Sequence, residues 1–245
     1  MQPRERWISL AEVVFGSFVV IGHNVLRIIP NEVPILFVLF WLSSWLRRRR
    51  EDLNQFKRPK SWPKTILVAA AAALVLQGGS EFLIEPLIHH LWGQPEQVSS
   101  LLKEHATNWK FALHNLAVVW FFAAFGEETG YRGYLLPRAA DLGNRTKTAY
   151  FAAMLYVAGL FGCGHFYKGP SGVVDSAYSG LVLGAVYLLS GRNLWAAILA
   201  HGLSDTVFVV VMLMGWATWK ETRSPFQPTA LHAVRTSINS DEMPA

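Results

Sequence analysis

Seven stretches of this chain are apolar along their whole length rather than along one face. They cover about 8–23, 34–46, 65–91, 111–136, 149–166, 173–190 and 194–216, with short polar turns between them. An uncharged apolar run of this kind suits a helix that crosses hydrocarbon. A bilayer offers backbone groups no partner, so helices must satisfy them internally. The pattern predicts an all-α protein, a polytopic transmembrane helical bundle of about seven spans, within a range of about six to eight. The second stretch is short for a crossing and is expected to tilt or to recruit its flanks.

Composition sharpens this picture. Of 245 residues, 52% are hydrophobic and only 16% are charged, where soluble domains carry about a quarter charged residues. Trp41, Trp45, Trp62, Trp92, Trp195 and Trp216 fall mostly near span ends, as interfacial aromatics do. The run Arg47-Arg48-Arg49-Arg50, followed by Lys57, Arg58, Lys60 and Lys64, lies between two apolar segments and reads as a cytoplasmic anchor. Alternating spans then put Arg145, Lys147 and Arg192 on the same side. The net charge of +5 has the same origin, so no nucleic-acid partner is inferred; the partner implied is the lipid bilayer.

Three segments follow: an N-terminal transmembrane hairpin with its basic loop at 1–64, a helical membrane core at 65–216, and a polar tail at 217–245. Residues 7–22 resemble a signal-peptide core, but Glu12 interrupts them and no small-residue cleavage site follows, so a retained first helix is expected. A single cysteine, Cys163, leaves no internal disulfide and reads as a small packing residue.

The chemistry lies in ionisable residues placed where lipid should be. A charge at mid-bilayer costs from about 2.5 kcal/mol upward. Glu127, Glu128 and Arg132 nevertheless share one apolar span, within AAFGEETGYRGYLLP. His165 stands in a second, within GLFGCGHFY, and His201 and Asp205 in a third, within ILAHGLSDTVF. Such groups are expected to satisfy one another. At a rise of about 1.5 Å per residue, Glu127 lies roughly 21 Å from the 142–148 turn and His165 roughly 25 Å, so antiparallel helices bring them to similar depths. Glu128 and Arg132, four apart, stack on one face. Glu127 is rotated by about 100° from Glu128 and points elsewhere. One carboxylate is thereby structural and the other free to act. Gly126, Gly130 and Gly133 would let another helix approach, as would Gly162 and Gly164 around His165.

These residues also carry a family resemblance. EETGYR resembles the EExxxR motif of the CPBP (CAAX protease and bacteriocin-processing) family of glutamic-type intramembrane proteases. Phe161 to His165 resembles its FxxxH motif, and His201 to Asp205 its Hxxx(N/D) motif. The resemblance covers roughly 110–215 and makes 65–216 the catalytic core. It implies an endopeptidase that cleaves a membrane-associated protein or peptide tail with glutamate-activated water. Glu127 would be the base, His165 would position or polarise the water, and His201 and Asp205 would stabilise the oxyanion, with Glu128 and Arg132 in support. Prenyl endopeptidases resemble an HxxxN pattern, whereas this chain has Asp205. An ionised aspartate only accepts hydrogen bonds; it would orient His201, stay protonated, or help bind a metal.

Other readings use the same side chains. Glu127, His165 and His201 are also a zinc donor set, although an HExxH helix is absent; no cofactor is favoured, and zinc is the alternative. A transporter or proton relay also uses intramembrane Glu and His, but no inverted repeat is visible. A noncatalytic scaffold or immunity protein on the same fold is the third class. Glu81, Glu85, His89 and His90 read as solvated residues at the noncytoplasmic interface, and Tyr131, Tyr134 and Tyr167 as packing or interfacial residues. The compact size suits a prokaryotic inner (cytoplasmic) membrane.

Overall fold

The structure, a computed structural model, describes residues 2–47, 50–92 and 108–214. Among the described residues all regular structure is helical. Seven long helices carry it: α1 Pro3–Asn24, α2 Glu32–Leu46, α3 62–92, α4 Trp109–Asp141, α5 Lys147–Cys163, α6 Gly169–Leu189 and α7 Leu194–Leu213. Five are long and apolar enough to cross a membrane, and α2 and α5 are the shorter pair. The 15 residues of α2 reach roughly 22 Å at 1.5 Å each, so α2 cannot cross without its flanks. Trp216 and the tail 217–245 lie outside the described residues, as do Arg48 and Arg49.

Local chemistry sets several helix starts. Asn31 Oδ1 accepts from the Val33 amide at 2.9 Å, and Thr146 Oγ1 from the Ala149 amide at 3.2 Å; each satisfies an orphan donor of the first turn. Val19 and Val20 of α1 share one buried cluster with Leu36 and Phe40 of α2, Leu135 of α4, Phe161 of α5, Leu183 of α6 and Ala197 of α7. The N-terminal hairpin is thus part of the core. Leu74, Phe82, Phe121 and Leu189 point outward, as they do when the surrounding solvent is lipid rather than water.

The winding of α4 departs from an uninterrupted α-helix. Over Val119–Leu135, 17 residues, it is a π-helix, closed by the Leu136 amide donating to Tyr131 O. Such windings are rare and usually a single turn. The return to α geometry falls beside Pro137, which has no amide to donate. Periodicity along the chain could not predict this, because the segment is apolar on all sides and packs against both α2 and α7. At Gly130 a Cβ would stand 2.9 Å from Leu36 Cβ, so α2 approaches as closely as the glycines predict.

The loops at the basic end tie to one another. Arg6 Nη2 donates to Leu142 O at 2.7 Å, and Asn193 Nδ2 to Lys57 O at 2.9 Å. Beneath them lies a buried ion network. Arg138 donates to Asp52 Oδ2 at 2.5 Å and meets Glu12 at 3.1 Å; Arg47 meets Glu5 at 2.7 Å and Glu12 at 2.5 Å. Ser43 donates to Glu12 as well. Arg47, the first of the arginines read as a cytoplasmic anchor, turns inward to join α1 to α2. Gln55 closes this end from below, donating to Gly133 O at 3.0 Å and accepting from Tyr187 at 2.6 Å.

Candidate active site

Glu128 and Arg132 project from the π segment and are both fully buried. Arg132 Nη1 donates to Glu128 Oε1 at 2.8 Å, which is the pairing expected from their spacing. The guanidinium also donates from Nη2 to Gly180 O at 3.2 Å and lies over the Phe161 ring, 4.5 Å from its centroid. Arg132 thereby joins α4 to α5 and α6. Among close intramembrane charges, such pairing is what makes burial tolerable.

From α7, His201 reaches the same carboxylate. Its Nδ1 lies 2.9 Å from Glu128 Oε1, and its Nε2 lies 3.5 Å from Asp205 Oδ2. An ionised carboxylate only accepts, so the ring is the donor to Glu128. His201 thus hangs between two carboxylates, one on each nitrogen. Trp120 of α4 braces this part of α7, with Nε1 donating to Thr206 at 3.2 Å.

His165 stands just beyond the end of α5, where the chain turns into the 3-10 segment Phe166–Lys168. Its Nδ1 lies 2.9 Å from Phe161 O. A carbonyl cannot donate, so Nδ1 carries the hydrogen and Nε2 keeps its lone pair. The Phe161 ring is the hub of the site: its centroid lies 4.8 Å from that of His165, 6.2 Å from His201 and 4.9 Å from Tyr131.

Glu127 lacks the ion pair and the histidine contact that hold Glu128 through Oε1, although the Oε2 atoms of both are sealed and unpartnered among the described residues. The Glu127 carboxylate lies within electrostatic reach of His201, Asp205, Glu128 and Glu32. The six residues expected from sequence are therefore brought to one region by α4, α5 and α7. Among the described residues, no three His, Cys, Asp or Glu side chains gather so as to hold a metal ion. His201 Nδ1 is taken up by Glu128 at 2.9 Å, so its Nε2 and that of His165 are the nitrogens left to hold another group.

Two contributors were not legible as site residues. Glu32, at the start of α2, is 7% exposed, and its Oε2 lies 3.4 Å from His23 Nε2. In sequence it looks like an ordinary acid in a helix's first turn. Tyr131 read as packing, and it is buried, yet its hydroxyl has no hydrogen-bond partner among the described residues. Two of the bland readings agree with the structure: His89 and His90 are exposed, and Cys163 is a free, half-buried thiol.

Residues 108–207 match a family model described as type II CAAX prenyl endopeptidase Rce1-like. No curated protein and no solved structure matches the chain. The matched segment holds every one of the six residues above, together with Phe161, and leaves out α1 to α3. Over residues 108–207 the chain is similar to the CAAX protease (CPBP) family, a family of intramembrane proteases, and its long apolar helices suit a multi-pass membrane protein.

Proposed function

We propose that this chain is an endopeptidase that cleaves a membrane-associated protein or peptide tail with water activated by Glu127, without a metal. One observation carries the reading. Both glutamates have a sealed Oε2 without a partner, but Glu128 is held through Oε1 by Arg132 and His201, whereas no ion pair or hydrogen bond holds Glu127 among the described residues. A buried orphan of this kind is costly unless chemistry uses it.

In the proposed reaction, the Glu127 carboxylate takes a proton from water as the water oxygen bonds to the scissile carbonyl carbon. The carbonyl electron pair moves onto oxygen. Glu127 then returns the proton to the departing amide nitrogen as the C–N bond breaks. The lone pair on His165 Nε2 accepts the water's second hydrogen and orients it. His201, protonated on both nitrogens, donates from Nδ1 to Glu128 and turns its more loosely held Nε2–H, 3.5 Å from Asp205, to the oxyanion, an interaction strengthened by exclusion from water. Asp205 acts by orienting His201; its distance of 3.5 Å to Nε2 supports that role over direct donation. Arg132 and Glu128 fix the frame.

The metal-free reading is supported by His201 Nδ1, which is taken up by Glu128 Oε1 at 2.9 Å. For the substrate, prenylated CAAX tails suit the family description, while leader peptides and membrane-anchored sorting tails suit a prokaryotic cytoplasmic membrane, where we place the chain. The test is cleavage by detergent-purified protein of three fluorogenic tails: a farnesylated CAAX peptide, a leader peptide and a C-terminal sorting tail. Cleavage of one of them, lost in His165→Ala and indifferent to chelator, supports the reading. Cleavage stopped by chelator and restored by metal makes the same side chains ligands and overturns it.

A further inference from the structure

The Tyr131 hydroxyl is an unused donor inside the site. The ring is 1% exposed and packs edge-on against Phe161, with centroids 4.9 Å apart. The oxygen is sealed from solvent and has no hydrogen-bond partner among the described residues. A phenol that only filled space would leave this donor unpaired at a cost that phenylalanine avoids.

Its surroundings say what the donor faces. Tyr131 follows Glu127 by four residues on the π segment and lies within electrostatic reach of both Glu127 and Glu32. The hydroxyl stands over Gly164, where a Cβ would come within 2.7 Å of it. Gly164 immediately precedes His165, whose Nε2 carries a lone pair because Nδ1 is spent on Phe161 O. Three groups with spare hydrogen-bonding capacity therefore lie in one region: the Glu127 carboxylate as acceptor, the His165 Nε2 lone pair as acceptor and the Tyr131 phenol as donor.

We propose that Tyr131 holds the attacking water, donating from Oη to one lone pair while the water donates to Glu127 Oε2 and to His165 Nε2. The water then makes three hydrogen bonds, the usual number for a buried water. Its remaining lone pair is the one that attacks the carbonyl carbon. When that bond forms, the proton passes to Glu127 and the phenol keeps its own. The inference rests on the glutamate reading above and adds a third holder of the water to it.

The test uses full-length protein in detergent and the variants Tyr131→Phe, Glu127→Gln and their combination. With the farnesylated CAAX peptide as probe, Tyr131→Phe lowers kcat by about tenfold to a hundredfold, as for loss of one hydrogen bond to a charged site, and leaves KM within about twofold. Its melting temperature falls by no more than about 8 °C, because only one hydrogen bond to a buried water has gone. A purely structural hydroxyl leaves kcat unchanged in a preparation that Glu127→Gln inactivates, and that result overturns the inference while sparing the glutamate reading. The melting-temperature shifts of the two single variants are also compared with that of the double variant, which needs no substrate. Non-additive shifts support a shared water. Additive shifts overturn it, whichever tail the enzyme cleaves. A Glu127→Gln protein as active as wild type instead removes the glutamate reading, and the inference with it.

Discussion

Changing Arg132 to methionine removes a cation from the middle of the bundle and leaves Glu128 behind. Both side chains are fully buried, and their contact is 2.8 Å. Breaking a buried pair by deleting one member costs about 3–5 kcal/mol, because the survivor is left uncompensated. The guanidinium also loses its seat over Phe161 at 4.5 Å, worth about 1–2 kcal/mol when desolvated. His201 still donates to Glu128, which moderates the loss, so about 3–5 kcal/mol is the expected total. Removing both charges, in Glu128→Gln with Arg132→Met, leaves no isolated ion and should recover at least about 2 kcal/mol of it. The assay is equilibrium unfolding in mixed micelles, read by tryptophan fluorescence, for wild type, both singles and the double. Additivity within about 0.5 kcal/mol would show that the two groups do not stabilise each other. It would also remove the argument that Glu128 is structural and Glu127 free.

Three further outcomes follow from other parts of the bundle. Gly130→Ala forces a Cβ to within 2.9 Å of Leu36 Cβ, and the overpacking should cost about 1–3 kcal/mol in the same unfolding assay; an unchanged midpoint would mean that α2 does not press on α4. Arg138→Ala takes one of several partners from Asp52 and from Glu12 at the basic end and should lose about 2–4 kcal/mol, while kcat per folded molecule, measured by active-fraction titration, stays unchanged. Asp205→Asn keeps the shape at His201 and should retain activity within about tenfold, whereas His201→Ala should lose about a hundredfold to a thousandfold in kcat; equal losses in steady-state assays would make Asp205 a direct participant.

Much of the fold was legible because hydrocarbon enforces it. Runs of leucine, valine and alanine without charge can do little but span, and all seven predicted stretches correspond to helices within the described residues. The site was legible for the complementary reason: Glu127, Glu128, Arg132, His165, His201 and Asp205 stand out against apolar neighbours. Their pairing was less so. Spacing alone linked Glu128 to Arg132, but the approach of His201 to the same oxygen depends on how α7 packs on α4. The π winding was invisible, since a segment apolar on all sides shows no period to read. Glu32 was missed because an acid after Asn31 looks like ordinary helix-start chemistry, and only the packing of α2 brings it near Glu127. The inward turn of Arg47 was not legible because a run of arginines carries no mark of the one that pairs with α1.

The central claim is that the Glu127 carboxylate, and not that of Glu128, activates water. The most direct measurement compares initial cleavage rates of Glu127→Gln and wild type at equal folded concentration, confirmed by melting, on whichever tail the wild type cleaves. The account predicts a loss of at least about a hundredfold in kcat, with KM nearly unchanged, as expected for removal of a general base. A Glu127→Gln protein that cleaves within about twofold of wild type would contradict it.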